Sequence, residues 1–559
     1  MGSEELIMQL TLQNQPIHSY IQQHAKLDSE KVAINFYGQE IAYGELWNSI
    51  NRMANFLSGQ GVKKGDTVAL YLQNCPQYVI VFFATQKIGA IAGPCNPMFK
   101  EWELKYQLND LNAKVLIATP DLFEVYEKIQ DETNVQSKII TNYRDYLPKI
   151  PYPIFPEKSV DAQFKDTIEW SSILKEEKYD YENNVDIDMA EDVSLIIYTS
   201  GTTGSPKGAM LTYTNSEFQA TCVAKNFGFT KDDTYIAVMP IFHIAGKLVS
   251  LLSAMVVGAK VVLLTRFDSK GMLQAFDRYK ATALYTTTPM NIQMMKEKLI
   301  HQIDFSHLKI NIVTSFGIQI TKEISDDWEQ ITGKPLMEFA YGMSETHTGN
   351  AMTPPSEIKY GSVGKSTFDT DIKIVQFDNY DKEMPVGEQG MILVKGPSVF
   401  KGYKGKEEET KESFYHDYFI TGDIGTYDED GFLYFLGRVK EMIKCSGYSV
   451  YPEEVEKMLS KHEKISGYSV YPEEVEKMLS KHEKINQVAV IGIPDPVRGE
   501  SVKAFVVLEE NVKATEMEII EWARDKMSAY KYPREIEFIP ELPKTSSGKI
   551  LRRLLKEKQ

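Results

Sequence analysis

The stretch TSGTTGSPKGAMLTYTN, residues 199–215, follows directly on the apolar run Val193 to Tyr198. A buried-type strand that empties into so many small hydroxylated residues has few uses. Gly201, Gly204 and Gly208 let the backbone approach a ligand closely, while Thr199, Ser200, Thr202, Thr203 and Ser205 add hydroxyl donors and Lys207 adds a charge. That donor set suits the oxygens of a polyphosphate. It is not a Walker A loop, which needs G-x-x-x-x-G-K-[ST]; here Lys207 follows Gly204 by three and precedes Gly208. A flexible linker of the same composition would have no reason to follow a buried-type strand.

The same alternation of strand and helix runs outward from this loop. Thr67 to Leu72, Val193 to Tyr198 and Lys260 to Leu264 read as apolar strands, and Tyr43 to Gly59 and Gly271 to Tyr279 carry a helical period. The pattern predicts an α/β fold with largely parallel sheets. With 559 residues the chain exceeds one ordinary core. The change from FLYFLG to the charged GRVKE places the main boundary at 438/439, giving a large domain over 1–438 and a smaller one of mixed helix and strand over 439–559.

Composition excludes several function classes. Hydrophobic residues make up 43% and charged residues 25%, as in an ordered globular chain. The net charge of −16 opposes binding to a phosphate backbone, so no nucleic-acid partner is expected. Cys75, Cys95, Cys222 and Cys445 are far apart and form no CxxC pair, which argues against zinc and disulfides and for a reducing, cytoplasmic setting. The start lacks a signal-peptide pattern and the apolar runs are short or broken by Lys260, so no membrane span is expected and any membrane contact would be peripheral.

Four further motifs follow the phosphate loop: YGMSET (341–346), TGDIG (421–425), GRVKEMIKCSGY (437–448) and PKTSSGKI (543–550). In this order and spacing, from about Phe36 to Leu554, the chain resembles the adenylate-forming superfamily of acyl-CoA synthetases, peptide-synthetase adenylation domains and firefly luciferase, most closely the bacterial fatty-acyl-CoA ligases. The resemblance implies a large N-terminal domain of two α/β subdomains plus a distorted β-barrel, and a small mobile α+β C-terminal domain. It also implies a two-step reaction: a carboxylate attacks the α-phosphate of ATP to give acyl-AMP and pyrophosphate, and the thiol of CoA then displaces AMP. The implied cofactors are ATP, Mg²⁺ and CoA as co-substrate.

Roles follow by matching positions. Glu345 matches the Mg²⁺ ligand, a hard carboxylate for a hard cation. Tyr341, with Gly342 beside it, offers an aromatic face to adenine, and the Ser344 hydroxyl can reach the α-phosphate where relatives often have Thr. Asp423 matches the carboxylate that accepts both ribose hydroxyls and Arg438 the cation beside it. Lys549 matches the adenylation lysine, Lys440 the hinge about which the small domain turns, and Gly447 a residue near the pantetheine channel. Singly, Glu345 and Asp423 read equally well as turn residues and Arg438 as a surface charge. Their ordered concurrence carries the reading.

The acyl substrate is less defined. In AVMPIFHIAG, His243 stands where amino-acid-activating relatives carry an Asp that pairs the substrate ammonium. That argues for a carboxylic acid with an apolar tail and makes His243 a candidate catalytic residue. TTTPMN (286–291) and TSFGIQI (314–320) are the expected pocket walls; Phe316 replaces a common Gly and Gln319 a common Pro, which leaves chain length, and aliphatic against aromatic acids, open. A carrier-protein phosphopantetheine in place of CoA, and a homologue that binds ATP without catalysis, are the alternative readings.

One feature falls outside the resemblance. Ser446 to Ile465 return unchanged as Ser466 to Ile485. Each copy reads as a hairpin strand followed by a helix with Pro452 (or its repeat) in the first turn and Val455, Met458 and Leu459 on one side. Two identical units make no solenoid, so the duplication reads as an accident that leaves twenty surplus residues. The expectation is that the first copy stays beside the hinge and Ser466 to Ile485 loop out, because loop-closure cost grows slowly with length.

Overall fold

Thr67–Tyr71 is buried at every residue. A strand apolar on both faces needs a layer on each side, which is the position of a central strand in a parallel sheet. Thr67–Tyr71 takes that place, with Ile91–Pro94 and Ala113–Ala118 parallel on either side. The computed structural model describes residues 12–559 apart from 158–161, 174, 176–184, 200–205, 316–318, 440–442, 446–447, 451–475, 477, 480–481, 496–498, 510–511, 528–530, 544–554 and 556–559.

The first sheet has eight strands, in the spatial order Gly402–Tyr403, Lys207–Thr212, Val193–Thr199, Ile91–Pro94, Thr67–Tyr71, Ala113–Ala118, Ser137–Ile140 and Ile168–Glu169. It is parallel except at one end, where Val193–Thr199 and Lys207–Thr212 form a hairpin and Gly402–Tyr403 adds an antiparallel edge. The second sheet has seven strands and runs parallel from Leu336–Glu338 through Ile310–Thr314, Ala283–Thr287, Thr234–Ala237 and Lys260–Leu263 to Val32–Phe36, where the hairpin strand Gln39–Ala42 closes it. Both expected helical stretches are present as Tyr43–Gly59 and Ser269–Tyr279.

Between the sheets lies Pro76–Lys87, whose proline sits in the first turn and whose residues 76–86 are all buried. A helix apolar on every side belongs in a core, and Phe82 and Phe83 share one contiguous apolar cluster with Val68 of the first sheet and Val261 of the second. A third, antiparallel sheet runs Asn379–Glu383, Asp371–Gln376, Gly390–Lys395, Tyr418–Tyr427, with Phe414–Tyr415 and Leu433–Arg438 both paired to the long Tyr418–Tyr427 strand. A ribbon of Ala340–Tyr341, Ala351–Met352 and Lys365–Ser366 packs against it around Ile374, Ile392 and Leu433. Two α/β units with this barrel-like third layer make the large N-terminal domain.

The small C-terminal domain is built on Ile485–Asp495, antiparallel to Gly499–Leu508, which pairs in parallel with Glu535–Phe538. The helix Glu516–Lys526, capped by the Thr515 hydroxyl accepting from Glu518 N–H, covers this sheet through Ile519 and Ala523.

The duplicated segment corrects the sequence expectation. The second copy is not looped out as a whole: Met478 and Leu479 are buried in the small domain's core, Glu476 accepts a hydrogen bond from Val490 N–H at 2.6 Å, and His482 meets the Trp522 ring edge-on at 4.9 Å. The first copy supplies a hairpin instead, Tyr448–Val450 against Ile443–Cys445. The described residues of this region thus come from the beginning of the first copy and the end of the second, and residues 451–475 lie outside the described residues. The physical reason is connection length. The strand Ile485–Asp495 follows directly on the second copy, so that copy fills the helix site with the shortest closure, and identical side chains remove any preference for the first.

Candidate active site

Thr199 stands opposite Lys207 in the hairpin register, so the hydroxyl-rich loop is a hairpin tip held at both ends by the eight-stranded sheet. Ser200, Gly201, Thr202, Thr203 and Gly204 lie outside the described residues. At the base of the hairpin, a Cβ on Gly208 would come within 2.9 Å of Ile196 Cγ2, so no larger residue fits there without movement. The helix Glu101–Leu111 braces the same base: the Tyr106 hydroxyl donates to Pro206 O at 2.7 Å, and the Tyr198 hydroxyl donates to the Asp110 carboxylate. The two ends of the loop, Thr199 and Lys207, are therefore fixed on a braced support, which favours preorganised binding.

Lys207 does not stand alone. Its Nζ lies 2.5 Å from Glu409 Oε2 and 4.9 Å from the Tyr403 ring centroid. The Tyr403 hydroxyl in turn donates to Glu345 Oε1 at 2.8 Å. Glu345 is buried in the turn Ser344–Thr346, and its backbone oxygen accepts from Phe400 N–H at 2.7 Å. Burial raises the Glu345 pKa, partly offset by the Tyr403 hydroxyl and by the charges of Arg438 and Lys207. A single hard oxygen ligand is what Mg²⁺ requires when phosphate and water complete its shell.

A second cluster faces the first. Asp423 and Arg438 are register partners on neighbouring strands, with Arg438 Nε 3.1 Å from Asp423 Oδ1. The Tyr341 hydroxyl donates to Asp423 Oδ2 at 2.8 Å, and its ring packs 6.1 Å from Phe435. Gly342, at φ +155°, lies so near Thr348 and Gly349 that an added Cβ would stand 2.6 Å from Thr348 Cα. The charge of Arg438 acts on Glu345, Tyr341 and Tyr403 alike, which ties the two clusters into one site.

Three segments carry the residues that the sequence placed on the acyl side. His243 is exposed and caps the short helix Ile244–Lys247; surrounding protein and the nearby Lys247 both lower its pKa, so the imidazole is neutral at pH 7. Gly246 is required there, since a Cβ would meet Pro240 O at 2.4 Å. Behind the TTTPMN wall, the side chains of Thr286, Asn291 and Asn311 close a buried triangle of hydrogen bonds at 2.6, 2.8 and 3.0 Å. Ser315, in the second predicted wall, donates through N–H and Oγ to Glu338, whose carboxyl burial pushes up to about 7. Phe316 lies outside the described residues.

Thr199, Lys207, Tyr341, Gly342, Ser344, Glu345, Asp423 and Arg438 are thus brought to one region, and His243 stands at the start of the helix Ile244–Lys247. Lys440, Gly447 and Lys549 lie outside the described residues. Sequence reasoning missed Tyr403, Glu409 and the bracing residues Tyr106 and Asp110. None sits in a motif, and each reaches the site only through strand pairing or helix packing.

Comparison with known proteins identifies the family of the chain. The family described as AMP-binding enzyme matches residues 21–404, and the AMP-binding enzyme C-terminal domain matches 474–549. A long-chain-fatty-acid--CoA ligase of Bacillus subtilis is 34% identical over 99% of this chain and 96% of that protein. Its counterpart in Yersinia pestis is 31% identical over 93% and 90%. Among solved structures, a long-chain-fatty-acid-CoA ligase from Archaeoglobus fulgidus aligns with a TM-score of 0.76 at 26% identity, covering 95% of this chain and 98% of that one. The o-succinylbenzoate CoA synthetase of B. subtilis, bound with a product analogue, aligns with a TM-score of 0.77 at 27% identity over 98% and 99%. The chain belongs to the AMP-binding enzyme family, among its adenylate-forming CoA ligases.

Proposed function

We propose that this enzyme activates a fatty or related apolar carboxylic acid with ATP, forming acyl-AMP and pyrophosphate, and transfers the acyl group to CoA with release of AMP. The observation that carries the reading is the convergence of Glu345, Lys207 and the Asp423–Arg438–Tyr341 cluster beside a hydroxyl-rich hairpin tip. The two curated relatives named above support the fatty-acid class. The neutral His243 supports an acyl group without an ammonium, since it supplies no fixed negative charge to hold one.

In the first step a substrate carboxylate oxygen bonds to the α-phosphorus and the bond to the β-phosphate oxygen breaks. The hairpin tip from Thr199 to Lys207 binds the phosphates, and Lys207 exchanges Glu409 for a phosphate oxygen. Asp423, steadied by Arg438 and Tyr341, accepts the ribose hydroxyls, while the ring of Tyr341 lies beside adenine. Glu345 would hold Mg²⁺, which would draw charge from the phosphate oxygens. Lys549 approaches the reacting carboxylate. In the second step the thiol sulfur bonds to the acyl carbon, AMP leaves, and Gly447 borders the pantetheine. The domain boundary falls after Arg438, with Lys440 as the hinge.

The test is pyrophosphate release and acyl-CoA formation measured in parallel on acetate, octanoate, palmitate and a cinnamate with free CoA. Both products with octanoate or palmitate support the reading. Pyrophosphate without thioester points to a carrier-protein acceptor or to a second step blocked by the duplication, and neither product with any acid points to a silent homologue.

A further inference from the structure

Glu409 is the anion that Lys207 meets, and the backbone holds it there. The edge strand Gly402–Tyr403 pairs with Lys207–Thr212, and Lys404 N–H donates to Gly208 O at 2.9 Å. The chain then turns into the helix Glu407–Glu412, where Thr410 is fixed back onto the edge strand: Tyr403 N–H donates to its Oγ1 at 2.9 Å. A Cβ on Gly402 would stand 2.6 Å from Thr410 Cγ2, so the approach of strand and helix admits no larger residue without movement. Glu409, one residue before Thr410, is therefore delivered to Lys207 by a short run of fixed contacts.

Two cations share the Glu409 carboxylate. Lys207 Nζ lies 2.5 Å from Oε2 and Lys406 Nζ 3.1 Å from Oε1, and together they hold its carboxyl below the ordinary range, Lys207 contributing most. The side chains stay partly open to water, at 22% for Lys207, 31% for Lys406 and 39% for Glu409. An ion pair so exposed is weak enough for a polyanion to displace. When Lys207 leaves, Lys406 still holds Glu409, so the exchange strands no charge. Glu408, beside Glu409 on the same helix, is exposed and makes no ion pair with another described residue.

We propose that Glu409 is a placeholder anion for the phosphate site: it occupies Lys207 in the empty enzyme, yields it to a polyphosphate, and retakes it as pyrophosphate leaves. Resting on the proposed binding of phosphate at the hairpin tip, this role makes Glu409 the residue that sets how tightly phosphate is held there. Every ligand that reaches Lys207 must displace Glu409, so ATP and pyrophosphate are weakened by the same factor, while the acid and CoA are not. A weaker hold lets pyrophosphate leave before it reverses the first step. Glu409 touches no reacting atom and acts through Lys207 as a positioning residue.

The experiment is calorimetric titration of the full-length enzyme with pyrophosphate in the presence of Mg²⁺, followed by steady-state kinetics with ATP, octanoate and CoA each varied. Glu409→Gln should tighten pyrophosphate about threefold to fivefold and lower the KM for ATP by a similar factor, with the KM values for octanoate and CoA unchanged. A gain in affinity is the opposite of what loss of a merely structural pair produces. Glu408→Gln, which removes the same charge from the same helix, should bind pyrophosphate as wild type does, and the gain in Glu409→Gln should shrink as salt is added. Lys207→Gln should weaken pyrophosphate, and adding Glu409→Gln to it should then change nothing. Three results would each overturn the proposal while leaving phosphate binding at Lys207 intact: Glu409→Gln that binds pyrophosphate no more tightly than wild type, that gains no more than Glu408→Gln, or that gains as much without Lys207. Lys207→Gln with unaltered pyrophosphate affinity, or no pyrophosphate binding by any of the proteins, would overturn both.

Discussion

Lys531 of the small domain places its Nζ 2.9 Å from Glu103 Oε1 of the large domain, and both side chains are buried, at 9% and 3% exposure. Trp102, beside Glu103, packs against the small domain's core, and the Phe99 ring lies 5.4 Å from the same lysine. Removing one partner leaves a charge in a dry interface, so Glu103→Gln or Lys531→Met should each cost about 3–5 kcal/mol. The double variant should recover most of that loss. A double-mutant cycle on thermal unfolding checks it; simple additivity would mean the two side chains do not act as a pair.

The helix that carries Glu103 also braces the phosphate hairpin through Tyr106 and Asp110. Tyr106→Phe deletes one hydrogen bond to Pro206 O, worth about 1 kcal/mol. The KM for ATP should rise several-fold with the KM for CoA unchanged. Steady-state kinetics with each substrate varied separates the two.

Glu345 carries a pKa raised by burial, and the Tyr403 hydroxyl holds it down. Activity should therefore fail on the acid side at a pH above the ordinary carboxylate range, and Tyr403→Phe should move that limb upward. Glu345→Gln should reduce pyrophosphate release about 100-fold or more, with no rescue by excess Mg²⁺. A pH profile of the first step on the three proteins provides the comparison.

Glu338 titrates near 7 when folded, above its usual 4.5. Between those values the folded chain keeps a proton that the unfolded chain has released, so stability falls as pH rises through that window. The loss should be about 2 kcal/mol, reduced from the full shift because Glu338 is not fully buried. Glu338→Gln should flatten the dependence of unfolding temperature on pH from 4.5 to 7.

Deleting twenty residues from the duplication yields one and the same chain wherever the cut is made. The deletion should raise thioester formation more than adenylation, because the duplication begins six residues after Lys440, the proposed hinge, while the proposed nucleotide site is built on the large domain. Equal gains in both half-reactions would refute this.

Much of this was legible because it is local. Strand and helix alternate in the hydrophobic pattern, so Thr67–Tyr71 and Tyr43–Gly59 fall within a residue or so of their expected places. Glu345, Asp423 and Arg438 were found because each sits in a short motif. Tyr403 was not, since it meets Glu345 only by adding an edge strand to a hairpin almost two hundred residues earlier in the chain. The Lys531–Glu103 pair spans 428 residues and follows from how two domains meet, which no periodicity encodes. The choice between repeat copies was misread, because identical sequences differ only in what they are tethered to.

That tethering gives the small domain an unusual tolerance. Met478 and Leu479 fill its core, yet Met458 and Leu459 stand twenty residues upstream in the same surroundings of sequence. A substitution that spoils the downstream pair leaves an undamaged duplicate within reach, at the cost of a longer connection to Ile485–Asp495. The core position is thus written twice in the sequence, and damage to the downstream pair should be partly compensated by the upstream one.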